Sequence, residues 1–218
     1  MNLMNNSSSL IIIFVKNAAL GKVKTRLAKT VGEHSALDVY QTLVTLTESA
    51  SSSIHVDRHI YFSEEIDTSL WKGDSKHIQQ GRDLGEKMMN AFMNGFTMGY
   101  ERIVLIGSDL PEISEDILQS ALSKLQKSQA VFGPAQDGGY YLIGLTKMVS
   151  SIFTDKPWST SNLLALTLSE LKKQDISIAL LKTLNDIDTF EDLCTSEVFK
   201  SSPKIQKIIN TYIGHQQL

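Results

Sequence analysis

Asp109 stands in Gly107-Ser108-Asp109-Leu110-Pro111, directly after the apolar run Arg102-Ile103-Val104-Leu105-Ile106. A short run so rich in β-branched residues reads as a buried central strand. Gly107 ends it, and Pro111 blocks regular structure just beyond. A carboxylate at the end of such a strand lies where open α/β sheets take their ligands. Its hard oxygens suit a divalent cation on a phosphate-bearing substrate. A turn aspartate that caps the next helix explains the same residues. Lys16, Lys22, Lys24 and Arg26 fall within eleven residues, directly after the apolar run Leu10-Ile11-Ile12-Ile13-Phe14-Val15. Gly21-Lys22 with Thr25 nearby is not a Walker A loop, because Lys16 and Val23 stand where it needs Gly and Ser or Thr. A cationic glycine turn at a strand-to-helix junction suits bound phosphates, and a solvated basic loop would look the same.

Three further stretches carry chemical groups at predicted strand or helix ends. Asp137-Gly138-Gly139 puts a carboxylate beside paired glycines, either for close approach to a ligand or for a plain hairpin turn. Asp186-Ile187-Asp188 precedes a helix start, either as a cap with a spare charge or as a source of a second metal carboxylate. Trp158 in Pro157-Trp158-Ser159-Thr160 either stacks on a base or sugar ring or covers the core edge. A solvated surface would not concentrate Gly, Asp and Lys so regularly at strand ends. Other chemistries lack support. Cys194 is the single cysteine, the five histidines are scattered, and no Gly-x-Ser-x-Gly occurs.

The elements that must position these groups alternate between strand and helix. Ala36, Tyr40, Leu43, Leu46 and Ala50 predict an amphipathic helix over about 33–49, and Ile54 to Phe62 alternates as a strand with Arg58 as the exception. The stretch 63–75 has no clear period and reads as loop, and 77–80 reads as a short strand. Leu84, Met88, Ala91, Phe92 and Phe96 form the stripe of a second helix. Ser114 is the N-cap expected for a third helix, followed by short strands at 130–132 and 140–145. A helix with Leu163, Leu164, Leu168 and Leu171, a strand over 176–181, a capping box from Thr189 to Asp192 and a terminal helix from Pro203 complete the chain. Ile208, Ile209 and Ile213 on that last helix would pack against the domain or on a partner. The alternation predicts an α/β fold with a largely parallel central sheet flanked by helices, in one domain.

The 218 residues can bury a sizeable core, and a net charge of −3 gives no reason to expect a nucleic-acid or membrane partner. The apolar run 10–15 is too short for a signal peptide or a membrane helix and lacks a basic start. Residues 1–9 read as a disordered polar leader, and the protein as soluble and cytoplasmic.

Six blocks occur in order: Gly21 to Leu27, Gly81 to Met88, Gly107 to Pro111, Gly133 to Gly144, Trp158 to Thr160, and Asp186 to Leu193. Together they resemble the bacterial radical-SAM/selenodomain-associated transferases, also labelled arsenosugar-biosynthesis glycosyltransferases. That family is a branch of the GT-A nucleotide-diphospho-sugar transferase fold, near the phospholactate guanylyltransferases. The resemblance runs from Leu10 to Leu193 and implies a single GT-A-like domain over 10–218. It implies that Lys24 and Arg26, helped by Lys16, bind donor phosphates, and that Asp109 and Asp188 hold Mg2+ or Mn2+. Asp137, Gly138 and Gly139 would line the acceptor side, with Asp137 as general base. The family usually has proline within 17–20, Cys at Leu110 and Arg at Lys87, and a lysine there cannot supply a bidentate fork. The implied activity is a metal-dependent transferase with a nucleotide donor and a small acceptor, most simply a glycosyltransferase. The alternatives are a guanylyltransferase-like nucleotidyltransferase and a non-catalytic nucleotide-binding protein.

Overall fold

The computed structural model describes residues 8–200 and 202–216. Its sheet has seven strands: β1 (Ser9–Val15), β2 (Asp57–Phe62), β3 (Ser75–Ile78), β4 (Arg102–Gly107), β5 (Ala130–Pro134), β6 (Tyr140–Leu145) and β7 (Ile178–Leu180). They lie in the order β3-β2-β1-β4-β6-β5-β7. β1 sits between β2 and β4, parallel to both, and every one of its residues is buried. A strand covered on both faces must be apolar throughout, which is why Leu10–Val15 shows no alternation. Parallel pairings prevail, and β6 supplies both antiparallel ones, to β4 and β5.

The side chains of β1 divide the core. Ile11, Ile13 and Val15 face one layer, with α2 (Glu33–Ser52) and α4 (Glu115–Lys124), whereas Leu10, Ile12 and Phe14 face α3 (Leu84–Thr97) and α5 (Leu163–Lys173). A third cluster joins α1 (Thr25–Val31), the outer side of α2, α6 (Phe190–Thr195), α7 (Glu197–Lys200) and α8 (Pro203–Gln216) through Leu27, Leu43, Leu193, Phe199 and Ile205. In α8, Ile209 is buried and Ile213 exposed. No helix among the described residues is long and apolar enough to cross a membrane.

Several expectations shift. Order begins before residue 10: the Ser8 carbonyl accepts from the N–H groups of Glu101 and Arg102 at 2.8 and 3.0 Å, and Ser9 is already the first residue of β1. The rest of the expected leader, residues 1–7, lies outside the described residues. The basic stretch contains a helix, α1, which escapes a periodicity search because only Leu27 in it is buried. Leu84 is 48% exposed; Gly85 takes its place in the core, where an added Cβ would lie 2.1 Å from the Phe153 carbonyl oxygen. The patternless stretch 63–75 is anchored by Trp71, buried, with its indole N–H donating to Ser51 Oγ at 2.9 Å. Arg58 stays in β2 because its guanidinium reaches Asp74 at 3.0 Å and donates to carbonyls at the end of α2.

Candidate functional site

Register brings the ends of β1 and β4 level, with Phe14 opposite Gly107. The residues just beyond, Lys16 and Ser108, are tied by Tyr40 of α2. Its buried hydroxyl accepts from the Lys16 N–H (2.9 Å), donates to the Lys16 carbonyl (3.0 Å) and lies 2.9 Å from Ser108 Oγ. Burial, aided by the negative charge of Asp109, pushes the Tyr40 phenol up to about 12, so it keeps its proton. This fixes the loop carrying Asp109. Gly107 leaves room for that carboxylate to fold back, since a Cβ there would be 2.9 Å from Asp109 Oδ1. Asp109 is not the cap of the following helix: Ser114 is, accepting from the Ile117 N–H.

Lys24 reaches the same carboxylate from the other side. Its backbone is left-handed (φ 46°), an uncommon state for a residue other than glycine, and it directly precedes α1. Its Nζ lies 3.2 Å from Asp109 Oδ2 and 3.5 Å from Asp188 Oδ1, and the side chain is 5% exposed. Burial opposes the charged ammonium, but Asp109, Asp188 and Asp186 outweigh it and raise its pKa. Arg26 lies 3.4 Å from Asp188 Oδ2 with an exposed side chain. Lys16, Lys22, Lys24, Arg26, Tyr40, Asp109 and Asp188 line one recess of about 180 Å³. Asp188 is free to face it because Asp192 does the capping: its Oδ2 accepts from the N–H groups of Thr189 (2.7 Å) and Asp188 (3.1 Å).

A second cavity, of about 220 Å³, shares Asp109 and adds Asp137, Gly139, Tyr140, Tyr141, Ser159, Thr160 and Asp186. Asp137 is exposed and takes the Gly139 N–H at 2.8 Å, so the turn reading and the site reading of this loop hold together. Gly138 does not line the cavity but packs against the 159–161 segment that does: its φ is 89°, and a Cβ would fall 1.9 Å from the Ser161 carbonyl oxygen. Trp158 packs against Gly85 and the core; the cavity is lined instead by its neighbours Ser159 and Thr160. The structure therefore gathers Lys16, Lys24, Arg26, Asp109 and Asp188 at one recess and sets Asp137 and Gly139 beside it. Gly138 and Trp158 support the walls.

Asp186 is the residue that sequence reasoning passed over. It is half-buried, and burial, followed by the charges of Asp188 and Asp109, raises its pKa to about 6 against the pull of Lys24. The signal was present, since Asp186-Ile187-Asp188 alternates around a buried isoleucine and so turns both carboxylates to one side. Among the described residues, no three His, Cys, Asp or Glu side chains are arranged to hold a metal ion. The carboxylates that do converge are a pair, Asp109 and Asp188, around an ammonium.

Comparison with known proteins adds to this picture. The model of a family described as "uncharacterized protein conserved in bacteria" (DUF2064) matches residues 45–160. No curated protein matches the chain. A solved structure of a candidate nucleotide-diphospho-sugar transferase from Desulfovibrio desulfuricans G20 is 31% identical, over 94% of this chain and 98% of that one, with a TM-score of 0.84. The 4-diphosphocytidyl-2C-methyl-D-erythritol synthase of Anaerococcus prevotii DSM 20548 shares the fold at 11% identity, over 92% of this chain and 100% of that one, TM-score 0.56. So does a cytidylyltransferase of Leptospira borgpetersenii serovar Hardjo-bovis, at 15% identity over 97% and 96%, TM-score 0.53.

Proposed function

As the chain belongs to the bacterial DUF2064 family, we propose that it is a transferase using a nucleotide donor, most simply a glycosyltransferase acting on a nucleotide-diphospho-sugar. The observation that carries this reading is the recess itself. Buried Lys24 and exposed Arg26 meet Asp109 and Asp188 at the ends of β1 and β4, the place where such sheets bind phosphates. The likeness to the Desulfovibrio protein extends over nearly the whole chain and supports the same reading. The narrower kinship with radical-SAM-associated, arsenosugar-type transferases is part of this proposal.

Lys24, Arg26 and Lys16 take the donor phosphates and stabilise the negative charge that grows on the leaving group. Asp109 and Asp188 would hold Mg2+ or Mn2+. Their oxygens already converge on one positive point, the Lys24 ammonium, and two carboxylates completed by substrate phosphates are a usual magnesium set. When bound, the ion supplies Lewis-acid stabilisation of the diphosphate. The acceptor enters the cavity of Asp137 and Asp186, and Asp137, exposed at its rim, takes the proton from the attacking hydroxyl. A nucleotidyl transfer, in which an acceptor phosphate attacks the α-phosphorus of a triphosphate, is the second reading, favoured by the shared fold of the cytidylyltransferases. Incubation with nucleotide sugars and with triphosphates decides between them. Released nucleoside diphosphate supports glycosyl transfer, pyrophosphate supports the second reading, and no turnover of any donor counts against both.

A further inference from the structure

Lys24 and the proposed cation claim the same oxygens. The Lys24 ammonium stands 3.2 Å from Asp109 Oδ2 and 3.5 Å from Asp188 Oδ1, and its side chain is 5% exposed while theirs are 42% and 44% exposed. The carboxylates are open to solvent and the lysine is not, so it occupies the inner point on which both converge. A divalent ion taking both oxygens would sit within a few ångströms of this ammonium. Two like charges so close, one of them buried, repel with little screening by salt. Lys24 has to withdraw before a cation can bind both carboxylates. Its flexible four-carbon stem permits that, and the recess it shares with Lys16, Lys22 and Arg26 gives the ammonium a place where phosphates would receive it.

We infer, on the basis of the metal-dependent reading above, that Lys24 is an internal counter-ion coupling the cation to the diphosphate. Phosphates draw the ammonium off Asp109 and Asp188 and open the pair; a cation on the pair releases the ammonium to the phosphates. Each ligand therefore tightens the other, reciprocally. Lys24 positions both ligands and sets their order: the cation alone binds poorly, and the two bind well together.

The test is Mn2+ binding to the full chain without nucleotide, followed by electron paramagnetic resonance of the free ion, a readout independent of turnover. Lys24→Met should bind Mn2+ at least about tenfold more tightly than the wild type, because the competing charge is gone. Lys24→Arg keeps a cation in place, with a fork that can hold both carboxylates, and should bind Mn2+ no more tightly than the wild type. Asp109→Asn added to Lys24→Met should abolish the gain. If Lys24→Met does not fold, Lys24→Asn, which tolerates left-handed backbone, carries the same expectation. Equal Mn2+ affinity in wild type and Lys24→Met overturns the coupling and leaves the metal reading standing. No Mn2+ binding by any of these proteins overturns both.

Discussion

Replacing Tyr40 by phenylalanine tests the reasoning about the site's scaffold. The ring is 2% exposed and sits in the core layer with Val44 and Ile106, so the substitution preserves packing and deletes one oxygen. That oxygen serves the Lys16 N–H at 2.9 Å, the Lys16 carbonyl at 3.0 Å and Ser108 Oγ at 2.9 Å. Ser108 is itself 3% exposed, so its hydroxyl has no ready access to water. A buried group left without its partner costs about 1–3 kcal/mol. The Ser108 hydroxyl should bear a full penalty, and the Lys16 backbone groups part of one, because the Lys16 residue is exposed. The expected loss is about 2–4 kcal/mol, read as a lower urea midpoint at unchanged m-value. The same oxygen aligns the loops of Lys16 and Asp109, so donor affinity should fall as well, whereas Tyr61→Phe, in the opposite layer, should leave affinity unchanged. A Tyr40→Phe protein within about 0.5 kcal/mol of the wild type and with full donor affinity would refute the account of how the two strand ends are coupled.

Gly138→Ala combines a positive φ with a Cβ placed 1.9 Å from the Ser161 carbonyl oxygen, and should cost about 3 kcal/mol or more in urea unfolding; a loss below about 1 kcal/mol would refute the packing of this turn on the 159–161 segment. Asp192→Ala removes the acceptor for the N–H groups of Thr189 and Asp188, and should lower the melting free energy by about 1–2 kcal/mol and weaken Mn2+ binding through Asp188; unchanged values for both would sink the capping assignment. His59 is 3% exposed, and burial with the neighbouring His77 lowers its pKa from 6.5 to about 4 against the pull of Asp57 and Asp74. A depressed folded pKa means that stability is complete above the unfolded value and is lost as pH falls from about 6.5 towards 4, by at most about 3 kcal/mol. His59→Phe should flatten that limb of the stability–pH curve, and an unchanged slope would contradict the burial argument.

Much of the fold was legible because its central strands are short and wholly apolar. Leu10–Val15 and Ile103–Ile106 have no solvent-facing side for a polar residue to occupy, so composition alone marks them. Ser114 and the Thr189 to Asp192 box were readable because caps use local hydrogen bonds with fixed spacing. Illegible parts had distant causes. α1 buries little beyond Leu27, and Trp71 is fixed by Ser51 and Glu48 of α2, which no local pattern announces. Trp158 is ambiguous in sequence for the same reason: it packs against the core and against Gly85, far off in the chain. Asp186 was passed over because its significance depends on burial beside Asp188 and Asp109, a property of three loops meeting.

That meeting also bears on the chemistry. Lys24 contacts a carboxylate 85 positions away and another 164 positions away, so the site exists only once β1, β4 and the segment after β7 have assembled. Its charges then nearly cancel: Lys24 is neutralised by Asp109 and Asp188, Arg26 touches Asp188 as well, and Lys22 is held by Glu64 at 3.0 Å. A diphosphate arriving at such a recess adds negative charge beside Asp109, Asp186 and Asp188, and of the cations lining it only Lys16 has no carboxylate partner among the contacts described. Two remedies are physically available. Proton uptake by Asp186, already raised to about 6, would offset a single charge. A divalent ion between the carboxylate pair and the phosphates would offset two and would free Lys24 for the phosphates at the same time. The second remedy answers the larger imbalance, and for that reason donor binding should weaken sharply when divalent ions are chelated and only slightly as pH rises from 6 to 8. A donor affinity indifferent to chelation but steeply dependent on pH in that range would transfer the role from the metal to Asp186.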